Sequence, residues 1–360
     1  MTRADVVVVL GSRFADLEQM GTRWAAVVEA WRDDPRVAGL DVLDYPRFGR
    51  PSMTPQASWI PGIRSWSVTV AGRRPASPVD GLGWRWTGRV ARRALGGSRA
   101  RLAVAATPLA VPLLRHLTDG PTAFDAVDDW RQLGPAQAVA QRVRTGYRAA
   151  GRVGAVTAVS EGLAERLRSD FGLHATPVRN GVHLEAYACP SASAPAVALP
   201  SGPFAVYLGS VSDRVDLDLL EAAAEELPVV LVGPVQEELR ARIQNGPLSS
   251  VGLVAKTDVP ALLARASVGL LLHHVDDLTR SMDPMKLSEY EAAGLPVVAT
   301  GLPGVADRPG VTVVATPVEV RRAVRAARAM GRRPVPSDLA ERDWRVVAER
   351  LLTTYLAGRR

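Results

Sequence analysis

The chain has 360 residues, 47% of them hydrophobic, a net charge of +7 and one cysteine, Cys189. Its length exceeds what a single hydrophobic core usually serves, so two domains are expected; a lone cysteine leaves no intrachain disulfide or cysteine-based metal site, and redox chemistry is not expected. No apolar run nears the roughly 18 residues of a membrane span and residues 6–10 are too few for a signal peptide, which predicts a soluble, cytoplasmic protein.

Residues 6–10 read as a first strand, ending at Gly11-Ser12-Arg13. A residue without Cβ there lets the backbone approach a phosphate, an ordinary tight turn being the alternative. A helix near 14–31 and a strand at 42–45 follow. The stretch 59–86 holds Trp59, Trp66, Trp84 and Trp86 amid Pro and Gly and fits neither period. It reads as a long loop whose aromatic faces either pack locally or stack on a sugar or apolar acceptor. From Trp84 to Arg101 there are six arginines and no acidic residue. This segment is either a solvated face or a contact for an anionic partner, a lipid-linked acceptor or the inner membrane surface; nucleic acid is not expected, since no recognition motif accompanies the charge.

Strands at 102–106, 123–127 and 155–159, with a helix near 136–150, continue an alternation that predicts βαβ units and a parallel sheet. Asp128 and Asp129 end the 123–127 strand, where a carboxylate can take a proton from an acceptor hydroxyl, although one of the pair can instead cap the next turn. His116 is a second, weaker candidate for that role. Ser160 caps a helix running to about Phe171, and Asn180-Gly181 marks a turn.

Residues 188–203 carry four prolines and no charge and read as an interdomain linker. Apolar runs at 204–208, 229–232, 251–254, 268–272, 297–299 and 311–314 then predict a second parallel domain, and an amphipathic helix over 339–360 closes the chain. Ligands of such domains sit at the carboxyl ends of strands. Gly209, Ser210 and Arg214 follow the 204–208 strand; Arg214 either meets an anion or pairs with Asp216 or Asp218. His273 and His274 are neighbours in an extended segment and point to opposite sides, so no metal is expected there and the loop is read as lining a sugar pocket. In the run Met285-Lys-Leu-Ser-Glu-Tyr, Lys286 and Glu289 lie three apart on one helical face, over a helix N-terminus that offers unpaired N–H groups to an anion. That suits a diphosphate with a ribose beside it. Of 44 basic residues only Lys256 and Lys286 are lysines, as a GC-rich coding bias would give, and an ammonium on a flexible stem can follow a phosphate where a planar guanidinium needs fixed geometry.

The run from Met285 to Thr300 resembles the donor-binding helix of GT-B glycosyltransferases, with the pattern K-x-x-E-Y-x-A-A-G-x-P-V-V-A-T. Segments 124–130, 159–167, 178–187 and 207–220 resemble the same superfamily in the expected order. The resemblance, closest to bacterial members of family 4, implies an α/β GT-B fold of two facing Rossmann-like doubly wound domains with a cleft between them. Residues 1–187 would bind the acceptor, 188–203 link, 204–338 bind a nucleoside diphosphate sugar, and 339–360 form a crossover helix packing back on the first domain. It implies that Glu289 holds the ribose hydroxyls, that Gly209, Ser210 and Arg214 hold the diphosphate, joined by Met285, Lys286 and Gly11, and that no metal or cofactor is needed. One departure bears on stereochemistry: Ser281 stands where many relatives carry a Glu, and Pro284 has no N–H to give. A similar Met-Lys-x-x-x-Tyr arrangement occurs in some inverting glucuronosyltransferases, so retention and inversion both stay open. A glycosyltransferase acting on a cell-surface glycan, lipid-linked saccharide or natural product is the leading expectation, in keeping with an arginine-rich actinobacterial chain. The alternatives are a non-catalytic partner-binding scaffold and a sugar-nucleotide epimerase of the same fold.

Overall fold

The computed structural model describes residues 3–20, 22–44, 47–71, 81–97, 101–132, 137–190 and 197–358. The chain forms two compact units: Met1–Arg179 together with Trp344–Arg360, and Asn180–Asp343.

The first unit runs β1 (Ala4–Val9), α1 (Phe14–Met20), α2 (Arg23–Arg32), β2 (Val37–Leu43), β3 (Arg47–Gly49), β4 (Ser52–Gln56), β5 (Arg64–Ala71), α3 (Gly81–Ala94), β6 (Arg101–Ala105), α4 (Val111–Leu117), β7 (Thr122–Ala126), α5 (Gln137–Ala150), β8 (Ala155–Ala158), α6 (Glu161–Phe171) and β9 (Thr176–Pro177). Its sheet has the order β3-β5-β2-β1-β6-β7-β8-β9, with β4 antiparallel on β5 at the edge. Val6 of β1 pairs with Leu40 of β2 and Leu102 of β6, both in parallel. The unbroken apolar run Val6–Val9 is fully buried, as a parallel strand covered on both faces requires. Because the chain leaves β1 toward β2 and later returns on its other side as β6, the topological switch lies between β1 and β6.

The expected helix over 14–31 is two helices. The described part of 59–86 is not a long loop: β5 and the start of α3 occupy most of its described residues, and residues 72–80 lie outside the description. A buried polar partner conceals the strand's alternation. Asp41 on β2 accepts from the Arg64 guanidinium and from Trp66 Nε1 at 2.8 Å, so polar and amphipathic side chains point where apolar ones would be expected. Trp59 stacks on Phe14 and Trp84 faces inward, while Trp86 is exposed.

The second unit runs α7 (Leu184–Ala188), β10 (Ala205–Leu208), α8 (Leu217–Ala224), β11 (Val229–Val232), α9 (Glu237–Asn245), β12 (Leu248–Gly252), α10 (Val259–Arg265), β13 (Val268–Leu271), α11 (Met285–Ala292), β14 (Val297–Thr300), β15 (Val311–Val314) and α12 (Pro317–Met330). All six strands are parallel, in the order β12-β11-β10-β13-β14-β15, which puts this unit's switch between β10 and β13. Those two strands pair only at Ala205–Val268 and Val206–Gly269, and beyond that point their ends are bridged by a side chain.

The boundary expected at 187/188 falls at 179/180 instead. Asn180 accounts for this: its backbone N–H donates to the Asp283 carboxylate at 2.6 Å and its amide to the Asp283 carbonyl at 2.7 Å, so the segment is fastened to the second unit and makes no Asn-Gly turn. The α7 helix likewise packs on α10 and α11. Of the expected linker over 188–203, residues 191–196 lie outside the description. At the other end, the turn Ser337–Arg342 belongs to the second unit, and the terminal helix α13 (Trp344–Ala357) to the first. There Trp31 Nε1 donates to the Ala348 carbonyl at 2.8 Å, and the buried Tyr355 hydroxyl meets Thr157 Oγ1 at 2.6 Å. Among the described residues no helix is long and apolar enough to cross a membrane.

Candidate functional site

The carboxyl ends of β10 and β13 are held open by Tyr290 of α11. Its buried hydroxyl accepts from Leu208 N–H at 2.8 Å and donates to the Leu270 carbonyl at 3.1 Å, taking over backbone groups that a continued strand pair would have joined. Behind it, Glu291 is paired with Arg308 at 2.7 Å and Ser288 accepts from Arg342 at 2.9 Å, so the inner face of α11 is fixed by polar as well as apolar contacts. This leaves Lys286 and Glu289, on the helix's remaining face, at the switch point.

Lys286 reaches back over the end of β10. Its ammonium lies 3.9 Å from the centroid of the Tyr207 ring, donates to the Tyr207 hydroxyl at 2.7 Å and stands 3.3 Å from His273 Nε2. Gly209 makes room for it. That residue has φ of +114°, and a Cβ there would come within 3.2 Å of Lys286 Nζ. Although part of Lys286 touches solvent, its packed surroundings dominate its titration: burial, then the nearby Arg214 charge, lower its pKa to about 7, with Glu289 acting in the other direction. His273 is pressed further, down to about 2, by burial and then by Lys286 and Arg214, so its imidazole is neutral. With Nε2 facing the ammonium as acceptor, the proton belongs on Nδ1, which is buried and has no hydrogen-bond partner among the described residues.

Glu289 has the complementary problem. Burial raises its pKa to about 7 against the opposing pull of Lys256, Lys286 and a hydrogen bond with the Tyr187 hydroxyl. Lys256 Nζ in turn lies 2.9 Å from His183 Nε2. The two lysines of the chain therefore act on one carboxylate, and α7, just before the expected linker, supplies Tyr187, with His183 as its N-cap. Both residues lie in the 178–187 segment that resembles the superfamily, but the resemblance assigns neither a role, and Lys256 is marked only by having escaped the arginine bias.

Arg214 sits in the loop after β10, with Nε 3.4 Å from Ser212 Oγ and its carbonyl accepting from His274 N–H. The carboxylates that would have neutralised it locally are engaged elsewhere. Asp216 caps α8 through Leu219 N–H and faces His274 Nδ1 at 3.4 Å, and Asp218 pairs with Arg242. His273 and His274 diverge, one toward Lys286 and the other toward Asp216. Ser210 contributes its carbonyl, which accepts from the Tyr207 hydroxyl at 3.2 Å. Met285 opens α11 behind Pro284, so its N–H and that of Lys286 belong to the first turn, which has no acceptors within the helix. Ser281 is buried and donates to the Asp277 carbonyl at 3.1 Å. Among the described residues no cluster of three His, Cys, Asp or Glu side chains has metal-binding geometry.

The first unit corrects two expectations. Asp129 is fully buried and clamped by Arg131, Nε to Oδ1 at 2.8 Å and Nη2 to Oδ2 at 2.7 Å, with Arg166 3.8 Å away. With both oxygens accepting from a guanidinium, it anchors the loop after β7 rather than serving as a base. Asp128 is half-buried beside it, its carbonyl accepting from Tyr147 at 3.4 Å. Gly11 does lie at this unit's switch point, but the space that a side chain would take is filled by the Trp130 indole, 2.8 Å from the position of a Cβ. Its glycine is explained by that packing. His116 packs against Gly88 of α3, where burial and then the charges of Arg115, Arg85 and Arg92 lower its pKa.

Comparison with known proteins agrees with this architecture. Residues 202–331 match the family model described as Glycosyl transferases group 1. The α,α-trehalose 6-phosphate synthase of Burkholderia multivorans superposes with a TM-score of 0.63 at 13% identity, covering 99% of this chain and 98% of its own. Anabaena HepE, solved with UDP and glucose, gives 0.59 at 16% identity over 97% and 99%. AviGT4, a glycosyltransferase involved in avilamycin A biosynthesis, gives 0.53 at 18% over 99% of each chain. No curated protein matches the sequence significantly.

Proposed function

We propose that this chain, which has the GT-B fold, is a glycosyltransferase whose second unit binds a nucleoside diphosphate sugar at the β10–β13 switch point, the sugar passing to a hydroxyl acceptor recognised by the first unit. The observation that carries the reading is the placement of Lys286 over Gly209 with Glu289 one turn further along α11. The Lys286 ammonium, the Arg214 guanidinium and the N–H groups of Met285 and Lys286 take the diphosphate oxygens, with Gly209 and Ser210 letting the loop backbone come close. Glu289 accepts from the ribose hydroxyls while Tyr187 and Lys256 hold it in place and favour its charged form.

In the reaction the bond from the anomeric carbon to the β-phosphate oxygen breaks, a bond to the acceptor oxygen forms, and the acceptor's proton leaves. The negative charge that builds on the diphosphate is met by groups already in position, which is where such a site contributes most to rate. If configuration inverts, Asp128 is the residue we assign as base; if it is retained, the departing phosphate oxygen can accept the proton. In this reading the cationic groups of the site offset the charge on the leaving group, a role that calls for no metal or cofactor.

Isothermal titration with UDP, GDP and dTDP tests this. At least one is expected to bind, and Lys286→Ala to weaken that binding by about 10- to 100-fold, the range for losing one hydrogen bond to a charged group. Failure of all three to bind, or binding unaffected by Lys286→Ala, contradicts the assignment.

A further inference from the structure

The α3 helix presents an outer face with no role in the nucleotide site. Its inner residues Gly83, Trp84, Thr87, Gly88 and Ala91 are buried, and Gly88 lies so close to α4 that a Cβ would come within 2.3 Å of His116 Cβ. The opposite side carries two parallel rows. Leu82, Trp86 and Val90 follow one another at intervals of four, as do Arg85, Arg89 and Arg93, and at a helical repeat of about 3.6 residues the two rows share one stripe. Leu82 is 72% exposed and Trp86 50%, the three arginines are exposed, and the helix has no acidic residue. At its flank Arg92 pairs with Asp119 at 2.7 Å, while Arg115 adds positive charge beside His116.

We propose that α3 docks this protein on an anionic lipid bilayer, lying in the plane of the headgroups. An acidic protein or a soluble polyanion would be satisfied by the arginine row alone. The adjoining row, a tryptophan and a leucine held out in water, fits a partner in which a negatively charged plane covers a hydrocarbon layer. The arginines meet phosphate oxygens, and the Trp86 ring takes the interfacial depth that an amphipathic ring favours. The surface is separate from Lys286 and Glu289 and does not depend on the nucleotide assignment.

Co-sedimentation of the whole chain with vesicles tests the proposal, using phosphatidylcholine alone and phosphatidylcholine mixed with phosphatidylglycerol. Binding is expected only to the anionic vesicles and to fall as salt rises. Arg85→Gln and Arg89→Gln should each weaken it about five-fold, the value of one basic residue near a charged membrane surface. Trp86→Ser and Leu82→Ser should weaken it at low salt as well, with unfolding temperature and nucleotide binding unchanged in all four variants. The proposal is overturned if the protein pellets with neither vesicle or equally with both, if no substitution alters pelleting, or if wild type and Trp86→Ser bind soluble heparin as tightly as the anionic vesicles.

Discussion

In the proposed function Lys286 is the residue on which the chemistry turns, because its environment in the free protein opposes the charge it would carry against a diphosphate. With a pKa of about 7 it is only partly protonated at neutral pH, and a diphosphate placed against it restores the charged form. Binding should then take up a proton, and affinity should fall as pH rises above about 7, by up to tenfold per unit until the liganded pKa is reached. Titration at about pH 8 in two buffers of different ionisation enthalpy measures this: the apparent binding enthalpies should differ, and Lys286→Arg, which stays charged, should remove the difference. Identical enthalpies for wild type contradict it. The stability effects of the two site residues have opposite signs. For Lys286 the folded pKa lies below the unfolded value, so the penalty is full below about 7 and fades toward 10.5; for Glu289 the folded pKa is raised, so stability is lost as pH rises from 4.5 to about 7. The spacing of Lys286 and Glu289 already places them on one face in the sequence. Arg214 and Tyr187, which help set their pKa values, and Tyr207, which accepts from the Lys286 ammonium, are far away along the chain and meet them only once β10 and α7 are in place.

At the scale of elements, the site exists because α11 is pinned across the ends of two strands that have ceased to pair. Gly209 is the narrowest point of that arrangement. Gly209→Ala forces a side chain into a backbone with φ of +114° and against the Lys286 ammonium. It is expected to cost about 1–3 kcal/mol in chemical denaturation, the usual cost of such strain, and to weaken nucleotide binding by displacing Lys286. A variant with wild-type stability and affinity would show that the contact is not restrictive. The strands β11 and β15 lie on the very residues that their apolar runs mark, and Ser160 caps α6 through Leu163 N–H as its position before that helix suggests. The elements that escaped the sequence are those with partners that cannot be seen locally. β5 carries Arg64 and Trp66 toward a buried Asp41, and α7 follows immediately on a segment fastened by Asp283, 103 positions away. Asp129 takes the second of the two roles open to it, its Oδ1 accepting from Arg131 N–H at 3.2 Å at the head of the next turn, while only the folded loop reveals that the Arg131 guanidinium closes onto both of its oxygens.

Across the whole molecule, charge is divided by kind. Arginines serve the fixed forks, as in the buried pair of Arg23 and Asp125 at 2.8 Å and that of Arg308 and Glu291, and they line the outer face of α3. The two lysines both act on one carboxylate, Glu289. A planar guanidinium suits a partner of fixed geometry, whereas an ammonium can adjust its position and its protonation when a ligand arrives. The two-unit α/β plan was legible because parallel strands buried on both faces leave continuous apolar runs, while exact unit boundaries depended on single hydrogen bonds such as those of Asn180. The most direct measurement is a crystal structure of the protein with the nucleoside diphosphate that it binds. The account predicts diphosphate oxygens within about 3 Å of Lys286 Nζ and of the first N–H groups of α11, with the ribose hydroxyls on Glu289. A nucleotide bound elsewhere, or one whose diphosphate leaves Lys286 against Tyr207 and His273 without contact, would contradict it.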